Sequence, residues 1–144
     1  MPAGFFPVVY TDCECYSRSS PDVPFRPYVV ARLTNPLTGI STDRRALVDS
    51  GADLCAIPVS TAKTLGIDLD QCERSSSQGV GGEVDTYLTE LEITACGVSE
   101  VCRVLIPMGL ASILLGRDPF FRLTHFGFAE VADPAQGHFY WRVP

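Results

Sequence analysis

This chain is short of positive charge, of histidine, and of any apolar run long enough to cross a membrane. Lysine and arginine together number 11 against 17 acidic residues, which leaves a formal net charge of −6. Nucleic-acid binding needs basic patches that displace counterions from phosphates, so no nucleic-acid partner is expected. The longest uncharged apolar stretch runs from Val104 to Gly116. Pro107 and Gly109 break it, and it falls short of the ~20 residues of a spanning helix, so no membrane partner is expected either. The N-terminal MPAGFFPVVY is apolar but has no basic residue ahead of it. It does not read as a secretory signal, and a cytosolic chain is expected. His125 and His138 lie among aromatics and read as structural; neither a His-Glu-x-x-His motif nor a nucleophile elbow accompanies them. Cys13-x-Cys15 has no second Cys or His pair at a usable spacing, so no metal and no cofactor is expected. There is no internal repeat.

What is present fits one folded domain. Apolar residues make up 46% and charged residues 19% of the 144, the balance of a chain that buries a core. Without a signal peptide the six cysteines are expected as free thiols. Cys96 and Cys102 flank a short turn and could face each other across a hairpin, although burial as small hydrophobes is the simpler expectation.

Residues 1–26 carry several prolines and SRSSPD and read as an extended arm. Residues 27–144 read as the domain. PYVVARLT (27–34) and ISTDRRALVDS (40–50) are predicted strands around an Asn-Pro-Leu-Thr-Gly turn. PVSTAKTL (58–65) is a predicted short helix, with proline in its first turn and Gly66 as its stop. ERSSSQGVGGEV (73–84) reads as a loop or a mobile hairpin tip. DTYLTELEITA (85–95) alternates as a strand with one wet face. VCRVLIP (101–107) and ASILLG (111–116) follow as strands, DPFFRL (118–123) as a helical turn, and HFGFAEV (125–131) with HFYWRV (138–143) as a final hairpin. Many short strands with one or two short helices make an all-β class with barrel-like closure.

The chemistry concentrates in ALVDSGADLCAIP (46–58). Asp49 ends an apolar run and is followed by Ser50 and Gly51. A carboxylate beside a core strand is costly unless it is paired, hydrogen-bonded or used. Glycine allows a tight turn and close approach, and a neighbouring hydroxyl can fix the loop. Two carboxyls sharing one site cannot both ionise easily, so one can act as base towards water and the other as acid towards a carbonyl. Asp53 lies past the turn, and Asp43 and Asp68 lie outside the motif. A second Asp49 would come from a symmetric dimer with the site on its two-fold axis.

Three segments taken together resemble the retropepsin-like, retroviral-type aspartic proteases. They are ALVDSGA (46–52), the glycine cluster Gly79-Val80-Gly81-Gly82-Glu83-Val84, and Ile113-Leu114-Leu115-Gly116-Arg117-Asp118. They follow that family's order: Asp-[Ser/Thr]-Gly-Ala, flap tip, then an apolar run into Gly-Arg-[Asn/Asp]. The resemblance covers roughly residues 27–143 and implies a closed barrel with one short helix after each motif. It implies Asp49, Ser50 and Gly51 as the catalytic loop of a homodimer that cleaves extended peptides, with Ser50 bonding across to the partner's loop. It further implies a structural ion pair between Asp53 and Arg117, and Gly81 and Gly82 as the hinge of a flap over the substrate. Ala52, Leu54, Ile57, Val80, Val84 and Leu115 are the expected walls of the substrate site. The N-terminal arm and the C-terminal hairpin exceed the minimal viral form and look more like cellular and bacterial relatives. The alternative is a non-catalytic peptide-binding or dimerisation module on the same fold. Intact Asp49, Ser50 and Gly51 favour the enzyme.

Overall fold

The computed structural model describes residues 12–17, 26–79, 81–129 and 136–143, with side chains for 26–76, 81–128, 141 and 143. In chain order the elements are β1 (Asp12–Ser17), β2 (Tyr28–Thr34), β3 (Ser41–Val48), β4 (Cys55–Ala56), α1 (Val59–Thr64), a 3-10 turn (Leu69–Gln71), β5 (Glu73–Gly79), β6 (Gly82–Ala95), β7 (Val98–Pro107), β8 (Ile113–Leu115), α2 (Phe120–Leu123), β9 (His125–Ala129) and β10 (Gln136–Arg142). Among the described residues no helix is long and apolar enough to cross a membrane.

Period-two burial aims the strands. β2 buries Val29, Ala31 and Leu33 and turns Val30 and Arg32 outward. The second half of β6 does the same with Leu91, Ile93 and Ala95. The main sheet runs β2-β3-β8-β4-β7-β6-β5, and β2 also pairs with β6. That extra pairing, Arg32↔Thr94 through Thr34↔Glu92, closes six strands into a barrel and leaves β5 hanging from β6. The turn at 35–39 is anchored from inside. Buried Asn35 donates from Nδ2 to the Leu65 carbonyl at 2.9 Å and accepts from the Leu37 N–H at 3.0 Å. Pro58 precedes α1, and Gly66, at φ +70°, ends it where the sequence places the stop.

Two expectations need correction. Glu73–Gly79 is a strand and not a loop; its partners run from Leu88 to Gly82. Its polar side chains show no buried face because Glu73, Arg74, Ser75 and Ser76 are all exposed, so backbone pairing alone defines it. The second is the lesser alternative, that Cys96 and Cys102 face each other; burial as small hydrophobes is the favoured expectation. The turn between β6 and β7 is Cys96-Gly97 itself, with φ of +52° and +76°. Cys102 therefore stands opposite Leu91 and not opposite Cys96.

A separate three-stranded sheet, β1-β10-β9, joins a strand from the N-terminal arm to the C-terminal hairpin. Trp141 packs on the barrel core. It covers the β6–β7 turn so closely that a Cβ on Gly97 would lie 2.9 Å from its ring. Phe120 of α2 is fully buried in the core. Phe120→Ala is expected to destabilise the fold by ~3–5 kcal/mol, through lost transfer energy and the cavity left behind. A lowered denaturant midpoint with an unchanged slope would register it.

Candidate active site

The site follows from strand order. β8 lies between β3 and β4, so the chain leaving β3 must step over the end of β8 to reach β4. That step is Asp49–Leu54. Parallel pairing of Ala46–Val48 with Ile113–Leu115 brings the Asp-Ser-Gly segment beside Gly116-Arg117-Asp118. Backbone hydrogen bonds stitch the two together. The Asp49 N–H donates to the Leu115 carbonyl at 3.0 Å, Arg117 N–H to Ala52 at 2.8 Å, and Asp118 N–H to Asp53 at 3.0 Å. Leu54 makes a further parallel bridge with Asp118.

The Asp49 carboxylate is half-buried. Its Oδ1 accepts the Gly51 N–H at 2.9 Å, and the Asp49 carbonyl accepts the Ala52 N–H at 3.3 Å. A Cβ on Gly51 would sit 3.2 Å from that same Oδ1, so glycine keeps the space beside the carboxylate clear. Ser50 and Gly51 are exposed at the crest of the loop, Asp53 is exposed, and Ala52 is half-buried.

The expected Asp53–Arg117 side-chain pair is absent. Both residues are exposed, and the ion pairs among the described residues are Arg32–Asp43 and Arg122–Asp118. Backbone bonds of Arg117 and Asp118 hold the two segments together instead.

Two expected pocket walls also lie elsewhere. Leu115 and Ile57 are both 0% exposed and belong to the core. Strand alternation assigns the other face of β8 to Leu114, half-buried opposite Leu47. On β3, Leu47 stands two residues before Asp49 and pairs with Leu114. Sequence reasoning missed both, because an uninterrupted apolar run does not show which residues face inward. Leu54 lines a cavity of about 370 Å³ with Cys102, Asp118, Pro119, Arg122 and Leu123, on the β7–α2 side of the loop.

The β5–β6 hairpin ends in a tip between Gly79 and Gly82. Gly81 and Gly82 adopt φ of +107° and +119°, and a Cβ on either would meet nothing within 4 Å. Their requirement for glycine is conformational, not steric. Val84 is half-buried on β6, and Val80 lies outside the described residues.

Comparison with known proteins agrees with this geometry. The family described as aspartyl protease matches residues 37–118, a span that holds both the Asp49 loop and the Gly-Arg-Asp segment. No curated relative matches. Among solved structures, the EIAV protease in complex with an inhibitor superposes with a TM-score of 0.55 at 24% identity, over 71% of this chain and 91% of that one. A retropepsin-like aspartic protease from Rickettsia conorii superposes with a TM-score of 0.63 at 19% identity, over 89% of this chain and 98% of that one. The all-β barrel, the crossing loop that carries Asp49 and the family match together make this chain a member of the aspartyl protease family, with the retropepsin-like fold.

Proposed function

We propose that the chain is an aspartic endopeptidase that works as a homodimer, each subunit contributing one Asp49 to a shared site. The observation that carries this reading is the Asp49 carboxylate itself. It sits at the end of a core strand, oriented by the Gly51 N–H and partly open to solvent. One such carboxylate per chain is half of a proton-sharing pair, and a two-fold axis supplies the other half.

In the assembled pair, one Asp49 takes a proton from water as the water oxygen bonds to the scissile carbonyl carbon. The other gives its proton to the carbonyl oxygen. Breakdown of the resulting diol expels the amine, which takes up a proton. Ser50, exposed on the crest of the loop, bonds across to the partner loop in this reading. The peptide binds extended under the Gly81–Gly82 tip, which serves as a flap and pairs by backbone. Leu47, Leu114 and Val84 favour apolar side chains beside the cleaved bond.

Light scattering over a concentration series, run beside a peptide-library assay, tests the reading. A dimer that cleaves is expected. A strict monomer with no cleavage at any concentration overturns it. Because the pair works with one shared proton, the rate should peak in mildly acidic solution and fall as that proton is lost. A flat profile between about pH 4 and 9 would contradict the shared-proton chemistry.

A further inference from the structure

Directly after the Asp49 loop comes Cys55, fully buried at the start of β4. It stands opposite Val104 of β7 in parallel register. Cys102, two residues earlier on β7, shares the Val104 face and is only half-buried. The register therefore puts the two thiols on one face of neighbouring strands, two residues apart along them. Cys102 also lines the cavity of about 370 Å³ beside Leu54 and Asp118, which gives a small oxidant a way in. The Cys55 sulfur is tied to the segment the active loop leans on: it accepts the Gly116 N–H at 3.4 Å and lies 4.0 Å from the Asp118 carbonyl. Among the described residues no group of three or more Cys, His, Asp or Glu side chains could hold a metal ion, so a metal site does not account for the pair.

We propose that Cys55 and Cys102 form a reversible dithiol–disulfide couple, oxidised by hydrogen peroxide, that displaces the Asp49 loop when it closes.

The thiols differ in a way that suits this sequence of steps. The neighbouring Cys102 thiol lowers Cys55, and the Gly116 N–H adds to that against the effect of burial. The neighbouring Cys55 thiol raises Cys102, and burial raises it further. The Gly116 N–H on its sulfur at 3.4 Å favours the Cys55 thiolate, which leaves Cys102 as the resolving thiol. The Cys55 sulfur attacks one peroxide oxygen, the O–O bond breaks, and the departing hydroxide takes the thiol proton as water. Cys102 then attacks the sulfenic sulfur. An S–S bond forms, the S–O bond breaks, and hydroxide leaves with the second proton as another water.

Closure has a mechanical cost at a sensitive place. Same-face diagonal neighbours stand two residues apart along the strand, roughly 6.6 Å, and one strand apart, roughly 4.8 Å, so their Cα atoms are about 8 Å from each other. A disulfide needs roughly 4.4–6.8 Å. Bridging therefore draws the start of β4 along β7 and takes the Cys55 sulfur away from the Gly116 N–H. Leu54 moves with it, and its bridge to Asp118 is part of what positions the loop.

The test is peroxide treatment of the full chain, followed by unreduced peptide mapping and amide exchange. A Cys55–Cys102 linked peptide and faster exchange over residues 49–54 are expected, both reversed by dithiothreitol. Cys102→Ser should fold with the same melting temperature and show neither change. The effect on cleavage rests on the endopeptidase reading: a fall on the order of tenfold or more is expected on oxidation, because small misplacements of reacting groups are costly. If no cleavage is found in either state, exchange at 49–54 still decides. Oxidation confined to the other cysteines overturns the proposal, as does a Cys55–Cys102 link that leaves exchange at 49–54 unchanged.

Discussion

Asp49→Asn is expected to abolish peptide cleavage while the protein stays folded and assembles as before. The substitution keeps the side-chain oxygen that accepts the Gly51 N–H at 2.9 Å, so the loop keeps its shape. What it removes is the ability to take a proton from water. Loss of a catalytic group of this kind costs on the order of 10³-fold or more in turnover. Mixing makes the test sharper. If the site needs two carboxyls, excess Asp49→Asn chain should inhibit the parent by drawing it into mixed dimers with one carboxyl. Dominant loss of activity in an exchange experiment is the expected result. Parent activity unaffected by excess variant, with subunit exchange demonstrated, would mean that each chain works alone.

Among the glycines Gly39, Gly51, Gly66, Gly81, Gly82, Gly97, Gly109 and Gly116, Gly116→Ala is expected to cost the most stability. A Cβ there would lie 2.3 Å from the Leu54 carbonyl oxygen, 2.4 Å from its carbon and 2.9 Å from the Ala52 oxygen. All three atoms are backbone, so no side chain can rotate aside. Overpacking usually costs about 1–3 kcal/mol. A clash with fixed backbone belongs at or beyond the top of that range. It also lands on Ala52, whose carbonyl receives the Arg117 N–H, and on Leu54, whose carbonyl bears on Gly116, so the damage goes straight to the Asp49 loop. Gly109→Ala is the comparison. Gly109 has φ +85° but nothing within 4 Å of a new Cβ, so it pays conformational strain alone, about 1–2 kcal/mol. Urea midpoints of the two variants separate the effects. Equal losses would mean that the loop yields to the added methyl.

The barrel was legible where burial alternates, as in Tyr28–Thr34 and Leu91–Ala95, and where punctuation is unambiguous, as at Pro58 and Gly66. Asp49 stood out because its charge interrupts an apolar run. The misses have separate physical causes. Glu73–Gly79 has no apolar face, so only its ladder to β6 reveals it. Ile113-Leu114-Leu115 is apolar at every position, and a period of two cannot be read from an unbroken run. Asp53 and Arg117 are brought near each other, but both are exposed and backbone carbonyls do the joining. Cys55 and Cys102 meet through a parallel pairing between strands far apart in the sequence, which no local pattern encodes.

The parallel pairings also set a schedule. β6 and β7 are joined by a two-residue turn, and such local hairpins close early. Asp49 takes its place only when Ala46–Val48 meets Ile113–Leu115 and Cys55–Ala56 meets Val104–Leu105. Both contacts span more than a third of the chain and carry a large loop-closure entropy. During synthesis, a chain released as far as the hairpin tip holds its Asp-Ser-Gly sequence but has no β8 to support it. The Asp49 loop can therefore take its place only after residue 115 has emerged from the ribosome, so a nascent chain carries the Asp-Ser-Gly sequence before it has the support that shapes it.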